Sequence, residues 1–404
     1  MTTGWQTKRL GELAELRGRI GWRGLTAKEY TKEGPLFLSV HSLNYGDYVD
    51  FRDAFHISED RFIESPEIML QPDDVLICKD GAGIGKLGIV GELPDRATIN
   101  SSLLLIRSGK DILPKFLYRC LTSPYFQDIV QSRLNGATTP HLYQRDITEF
   151  PVVLPPLSEQ QRIVAILDEA FEGIVTAKEN AERGLSSSRK LLSAFTGEVF
   201  ARHSHEWVGT RLGDLCSFVR GPFGGSLKKS VFVPDGYPVY EQRHAIYDQF
   251  DDVRYFVDES KFAEMQRFEL RPRDLIMSCS GTMGRVAIAP DSLRRGIINQ
   301  ALLKLTPNEK VSPDFLKLWM ESAAFQEAVK QSSGGVAIQN VASVSVLKEI
   351  RIPLPSISEQ SETMTVVENF AAEVHRLEIV YRQKVEALDD LKKSLLHHAF
   401  SGQL

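Results

Sequence analysis

Long apolar runs are missing from this chain. No stretch approaches the ~18 to 20 consecutive apolar residues that span a bilayer, and the opening MTTGWQTKRLGELAEL has no apolar signal-peptide segment, so no membrane association and a cytoplasmic location are expected. Cysteine is scarce: Cys78, Cys120, Cys216 and Cys279 lie far apart with no CxxC pair. That spacing suggests neither a disulfide framework nor a zinc site and leaves buried free thiols as the expectation. Basic charge is not in excess either, with 48 Lys and Arg against 53 Asp and Glu and a net charge of −5. A uniformly basic surface is therefore excluded, but a local basic patch is not, since phosphate affinity depends on where the cations sit.

Several motifs of catalysis are absent too. There is no HExxH and no NPPY-type segment of the kind that holds a flipped base in methyltransferases acting on exocyclic amines, so base flipping is not expected of this chain. Gly83-Ile84-Gly85-Lys86-Leu87-Gly88 fits GxGxxG, but Gly91 and Pro94 follow too closely for a helix. The same segment misses the phosphate-loop spacing by one residue and has Leu87 where a Ser or Thr would hold magnesium. A structural turn is expected. His203 with His205, and His397 with His398, are read as solvated residues near helix ends rather than metal pairs.

What the chain does have is itself, twice. At 404 residues, with 42% hydrophobic and 25% charged, it is a globular composition long enough for two or more domains. Arg9-Leu10-Gly11-Glu12-Leu13 returns as Arg211-Leu212-Gly213-Asp214-Leu215, and Pro72-Asp73-Asp74-Val75-Leu76-Ile77 as Pro272-Arg273-Asp274-Leu275-Ile276-Met277. Gly85 to Ile89 returns as Gly284 to Ile288, Ile99 to Leu104 as Ile298 to Leu303, and Leu154 to Gln160 as Leu354 to Gln360. Ala194-Phe195-Thr196-Gly197-Glu198 also matches Ala399-Phe400-Ser401-Gly402-Gln403. An ordered set of matches near one offset marks an internal duplication.

Each copy runs through short strand-like segments broken by turns, then a proline-rich stop, then a long helical stretch. The reading is α+β: two similar mixed domains, 1–157 and 206–357, with a central long helix and linker over 158–205 and a C-terminal long helix over 358–404. Ser158 with Gln161 is read as a capping box opening the first helix, and Ser358 as the corresponding cap of the second. Beyond the caps, Leu167, Ala170, Ile174, Ala177, Ala181, Gly184, Ser188, Leu191 and Phe195 step by 3 and 4. Val367, Phe370, Val374, Leu377, Tyr381, Lys384, Leu388, Leu391 and Leu395 repeat those steps. These are heptad seams, one of small side chains and one of large, suited to pack on each other. Antiparallel pairing is expected. A parallel pair would leave ~57 Å between helix end and next helix start, whereas a 150-residue domain has a radius of gyration of only ~15 Å. The arrangement expected is two mixed domains separated by an antiparallel coiled coil, with pseudo-two-fold symmetry, suited to two segments of one duplex.

The run Met277 to Ala287 followed by Ile297 to Leu303, and the paired segments Leu154-Pro155-Pro156-Leu157-Ser158-Glu159-Gln160 and Leu354-Pro355-Ser356-Ile357-Ser358-Glu359-Gln360, resemble type I restriction-modification specificity subunits over essentially the whole chain. The resemblance implies a non-catalytic subunit whose two target-recognition domains each read half of a bipartite sequence in double-stranded DNA. It implies that the helices space the domains and dock two modification subunits, which bring S-adenosylmethionine. Restriction subunits using ATP and magnesium join that assembly. The docking helices would offer Leu167, Ile174, Leu191, Phe195, Val367, Phe370, Leu377, Leu388 and Leu391. Two alternatives remain open: a specificity subunit of another restriction system whose partner combines cleavage and methylation, or a coiled-coil scaffold that binds proteins.

Phosphates favour Lys or Arg, and base edges favour bidentate Arg, Asn or Gln. By that criterion the DNA-binding candidates of the first domain are Arg17, Arg19, Arg23, His41, Lys79, Thr138, His141, Tyr143, Gln144 and Arg145. Those of the second are Arg220, Lys228, Lys229, Arg243, His244, Gln339 and Asn340. The resemblance favours the segments after Gly136 and Gly335, because the family's equivalent loops lie at the recognition face.

Overall fold

The structure, a computed structural model, describes residues 5–19, 25–134, 141–203, 206–223, 225–332 and 343–404. The chain divides into two compact units, 1–182 with 383–404, and 183–382.

The first unit runs β1 (Gln6–Arg9), α1 (Leu10–Leu13), β2 (Ala14–Gly18), β3 (Tyr30–Leu38), β4 (Phe55–Ile57), α2 (Glu59–Ile63), β5 (Val75–Cys78), β6 (Leu87–Ile89), β7 (Ala97–Ile99), β8 (Leu103–Ser108), α3 (Pro114–Thr122), α4 (Pro124–Leu134), α5 (Gln144–Thr148) and β9 (Pro151–Leu154), before the long α6 (Leu157–Arg202). An antiparallel sheet in the order β2-β8-β5-β6 lies beside a mixed sheet β4-β3-β7, and β1 pairs with β9. The second unit repeats this with β10 (Val208–Arg211), β11 (Cys216–Arg220), β12 (Tyr237–Tyr240), α7 (Gln242–Tyr247), β13 (Phe256–Val257), α8 (Glu259–Glu264), β14 (Glu269–Leu270), β15 (Leu275–Ser278), β16 (Val286–Ile288), β17 (Gly296–Ile298), β18 (Leu302–Pro307), α9 (Pro313–Glu321), α10 (Ala323–Ser332), α11 (Val344–Glu349), β19 (Arg351–Leu354) and α12 (Ile357–Ser401). Its sheets are β11-β18-β15-β16, β13-β12-β17-β14 and β10-β19.

Repeated residues do repeated jobs. The Pro-x-Asp turns before β5 and β15 force Asp73 and Arg273 to φ of 71° and 67°. Each turn is held by the next aspartate, which accepts the Gln71 N–H at 2.7 Å in one unit and the Arg271 N–H at 2.9 Å in the other. The last residue of each SEQ triplet is a buried bracket. Gln160 accepts the Leu113 N–H at 2.8 Å and donates to Asp111 O and Pro155 O. Gln360 accepts the Ser312 N–H at 2.8 Å and donates to Lys310 O and Pro355 O.

The long helices pack antiparallel within each unit. In the first, Arg162 reaches Leu404 O at 2.8 Å and Lys178 pairs with Asp389 at 2.9 Å. In the second, Arg189 pairs with Glu378 at 3.4 Å and Phe195 stacks on Phe370 at 4.0 Å. Small faces large at Gly184, where a Cβ would overlap the Tyr381 ring, but at 195 and 370 large meets large.

Three details depart from expectation. The helices begin at Leu157 and Ile357, so Ser158 and Ser358 lie inside the first turn. The capping box lies two residues earlier and in the second helix: Ser356 Oγ and N–H both bond Glu359, and the Glu359 N–H returns to Ser356 Oγ. In the first helix Pro156 stands at that place, with only its carbonyl to offer. Finally, the Phe195 and Phe400 match is out of register with the fold. Phe400 packs edge-on against Phe116 at 5.2 Å as Phe200, not Phe195, packs against Phe315 at 5.6 Å.

Candidate nucleic-acid interface

In the first unit β2 and β5 each run antiparallel to the β8 between them, so their carboxyl ends share one sheet edge. Lys79 and Asp80 leave β5 at that edge. The chain returns there before α5: the Leu142 N–H donates to Lys79 O at 2.9 Å, and His141 Nδ1 bonds the Asp80 carboxylate. The His141 ring meets the edge of Tyr143 at 4.5 Å, and Tyr143 is 59% exposed. Gln144 Nε2 donates to Leu16 O at 3.0 Å, next to the exposed Arg17, which pairs with Glu15 at 3.5 Å. Val40 fills the space beside Gly83 that a Cβ would need, which brings the exposed His41 to the same edge. Thus Arg17, His41, Lys79, His141, Tyr143 and Gln144 are gathered, with Arg145 exposed one residue further on.

Arg19 is not at that surface. It is 4% exposed, donates through Nε to Ile99 O at 3.1 Å, and lies over the Phe37 ring, so its cation ties β2 to β7. Arg23 and Thr138 lie outside the described residues.

The second unit builds the same edge from β11, β18 and β15. Arg220 ends β11 half-buried. Gln242 accepts from Ser280 Oγ at 3.0 Å and so binds the start of α7 to the end of β15. Arg243 pairs with Asp252. His244, 1% exposed, accepts the Glu241 N–H at 2.8 Å through Nδ1 and contacts Asp252 O through Nε2 at 3.2 Å, so it caps α7 from inside rather than facing solvent. Burial lowers its pKa and keeps it neutral. Lys228 and Lys229 are exposed. Gln339 and Asn340 lie outside the described residues. One residue at this edge escaped sequence reasoning: Phe223 is 92% exposed. Its signal was the setting Gly221-Pro222-Phe223-Gly224-Gly225, an aromatic with no periodic apolar neighbours.

Of the docking positions, Leu167, Ile174 and Val367 are buried, Phe195 and Phe370 cover each other, and Leu388 packs on the core of the first unit. Leu191, Leu377 and Leu391 are exposed on the helices. The glycine motif is a turn: Gly81 to Gly83 form a single 3-10 turn, and the chain enters strand β6, not a helix. His203 stacks on Trp207 at 4.7 Å and bonds Glu206, His205 lies outside the described residues, and His398 bonds Gln403. Among the described residues no three His, Cys, Asp or Glu side chains form a metal-binding group, and no helix is long and apolar enough to cross a membrane. All four cysteines are free and buried, and burial pushes the Cys120 and Cys216 thiols up to about 12.

Comparison with known proteins places this architecture. Residues 2–182 and 204–386 each match the type I restriction modification DNA specificity domain. The EcoBI type I restriction enzyme specificity subunit of Escherichia coli is 24% identical over 359 residues, 82% of this chain and 74% of that protein. The EcoKI specificity subunit of E. coli K12 is 21% identical over 99% of this chain and 89% of its own. The MjaVIII specificity subunit of Methanocaldococcus jannaschii is 21% identical over 85% and 81%. Among solved structures, a chain from work on complex assembly and conformational transition of the type I R-M system superposes with a TM-score of 0.76 at 20% identity, covering 100% of this chain and 99% of that one. The HsdS subunit from Thermoanaerobacter tengcongensis gives 0.59 at 19% identity, covering 100% and 98%. With the duplicated α+β fold, the antiparallel helix packing and two family domains in one chain, this protein belongs to the type I restriction-modification DNA specificity family and is a specificity subunit with two target-recognition domains.

Proposed function

We propose that each target-recognition domain, 1–157 and 206–357, reads one half of a bipartite sequence in double-stranded DNA with the loops at its four-stranded sheet edge. The observation that carries this is the gathering of Arg17, His41, Lys79, His141, Tyr143 and Gln144 by segments far apart in sequence, at an edge the second unit rebuilds with Arg220 and Arg243. Lys79, Arg17 and Arg220 contact phosphates, while Gln144, His141 and Tyr143 offer the amide, ring nitrogen and aromatic surface that base edges need. The chain itself catalyses nothing. The helices dock two modification subunits, which bind S-adenosylmethionine and transfer the methyl group, and Leu191, Leu377 and Leu391 are the exposed apolar positions available to them. Restriction subunits bring ATP and magnesium, and the assembly works in the cytoplasm.

The test is a binding selection. The full chain, assembled with its modification subunits, is presented with a random duplex library at physiological salt. A split motif is expected, with affinity falling steeply as salt rises because cations on phosphates release counterions. Recovery of no motif contradicts the function.

A further inference from the structure

Full burial of a Phe side chain is worth ~1.5 to 3 kcal/mol, yet Phe223 holds its ring in water at 92% exposure. It is not on a loose tail. Before it, the Gly221 N–H donates to Leu302 O at 2.9 Å, and a Cβ on Gly221 would overlap Asn299 O, so only glycine lets the chain press against the β17 to β18 turn. After it, the Ser226 N–H returns to Phe223 O at 2.9 Å and Leu227 is buried in the core of the second unit. The ring thus stands on a stem braced at both ends.

Charge says what it faces. From Arg220 to Pro234 there are three cations, Arg220, Lys228 and Lys229, and no acidic residue, in a chain whose net charge is −5. A protein-docking surface needs several hundred Å² of contiguous contact per partner, whereas Phe223 is one ring between small neighbours and cations. That chemistry fits a polyanion with stacked aromatic rings, and the narrow tip fits the gap between base pairs rather than a flat surface.

We propose that Phe223 is a wedge: its ring inserts between two stacked base pairs of the half-site read by the second unit, while Lys228 and Lys229 hold neighbouring phosphates. Apolar wedges of this kind unstack one step and kink the duplex, and the unstacking is offset by base-aromatic stacking. The inference rests on the DNA-reading function proposed above and adds to it a deformation of the target.

The experiment uses the full chain with its modification subunits and a duplex carrying the split motif found by selection, with 2-aminopurine placed at successive positions of both half-sites. Besides the target adenines that the modification subunits flip, the wild-type complex is expected to raise fluorescence at one step of the half-site read by the second unit. Phe223→Ala abolishes that rise and weakens binding about tenfold, and Phe223→Trp retains both. Replacing Lys228 and Lys229 together by Ala keeps the rise but lowers the salt slope by about 2. A wild-type complex that binds its duplex with no rise beyond the flipped adenines overturns the wedge and leaves DNA reading intact, as does a Phe223→Ala complex that behaves as wild type. Failure of the wild-type complex to select any motif sinks both.

Discussion

At the scale of single residues, duplication is clearest in groups that never reach the surface. Gln160 and Gln360 each satisfy one backbone N–H and two carbonyls at the junction of recognition domain and long helix. Sequence comparison showed that SEQ recurs but not why the glutamine must, because two of its three partners are backbone atoms 47 to 50 positions away. Gln160→Leu leaves those groups buried without partners, at ~1 to 3 kcal/mol each. A loss of about 3 kcal/mol is expected in chemical denaturation, with Gln360→Leu losing a similar amount. His244 makes a pH prediction. Burial holds its folded pKa below the ordinary 6.5, so the unfolded chain binds the extra proton first. Its contribution to stability is complete above about pH 7 and is lost as pH falls from the unfolded value toward the lower folded one. The thermal midpoint is expected to fall as pH drops below about 6.5, and His244→Asn flattens that decline. The candidate residues divide along the same line: Arg19 and His244 have the right chemistry for DNA, but burial, which one sequence does not display, commits them to the interior.

At the scale of elements, the 3 and 4 stepping of apolar residues made the two long helices legible, since periodicity is a local property, and the short reach of the domain between them made their direction legible. Which residues close the seam was less legible. Leu191, Leu377 and Leu391 keep the step yet stay exposed, so the step alone does not tell which heptad positions the other helix covers. The caps were misplaced for a simpler reason: two serines stand two residues apart in Ser356-Ile357-Ser358, and only the hydrogen bonds to Glu359 tell them apart. Gly184 provides the element-scale test. A side chain there would strike Tyr381. Gly184→Leu is expected to cost about 2 kcal/mol despite the better helix former, and adding Tyr381→Ala recovers part of the loss in a double-mutant cycle.

At the scale of the whole molecule, the repeat in the sequence is a repeat of fold: β2-β8-β5-β6 returns as β11-β18-β15-β16, β1-β9 returns as β10-β19, β4-β3-β7 returns with a fourth strand, and the same Pro-x-Asp turns occur in both units. The framework was legible because duplication exposes it. The reading edge was legible only in outline, for its members come from separate loops: Lys79 and His141 are joined through Asp80 across 61 positions, and Phe223 was marked only by its glycine-rich setting, with no periodicity. The account's central claim is that each unit reads its own half of the target. The most direct measurement is the methylation motif written on genomic DNA by the assembled complex when Lys79, His141 and Tyr143 are replaced by Ala. The expected result is a two-part motif in which one half becomes degenerate while the other keeps its bases. A motif without two parts, or one in which both halves relax together, contradicts the account.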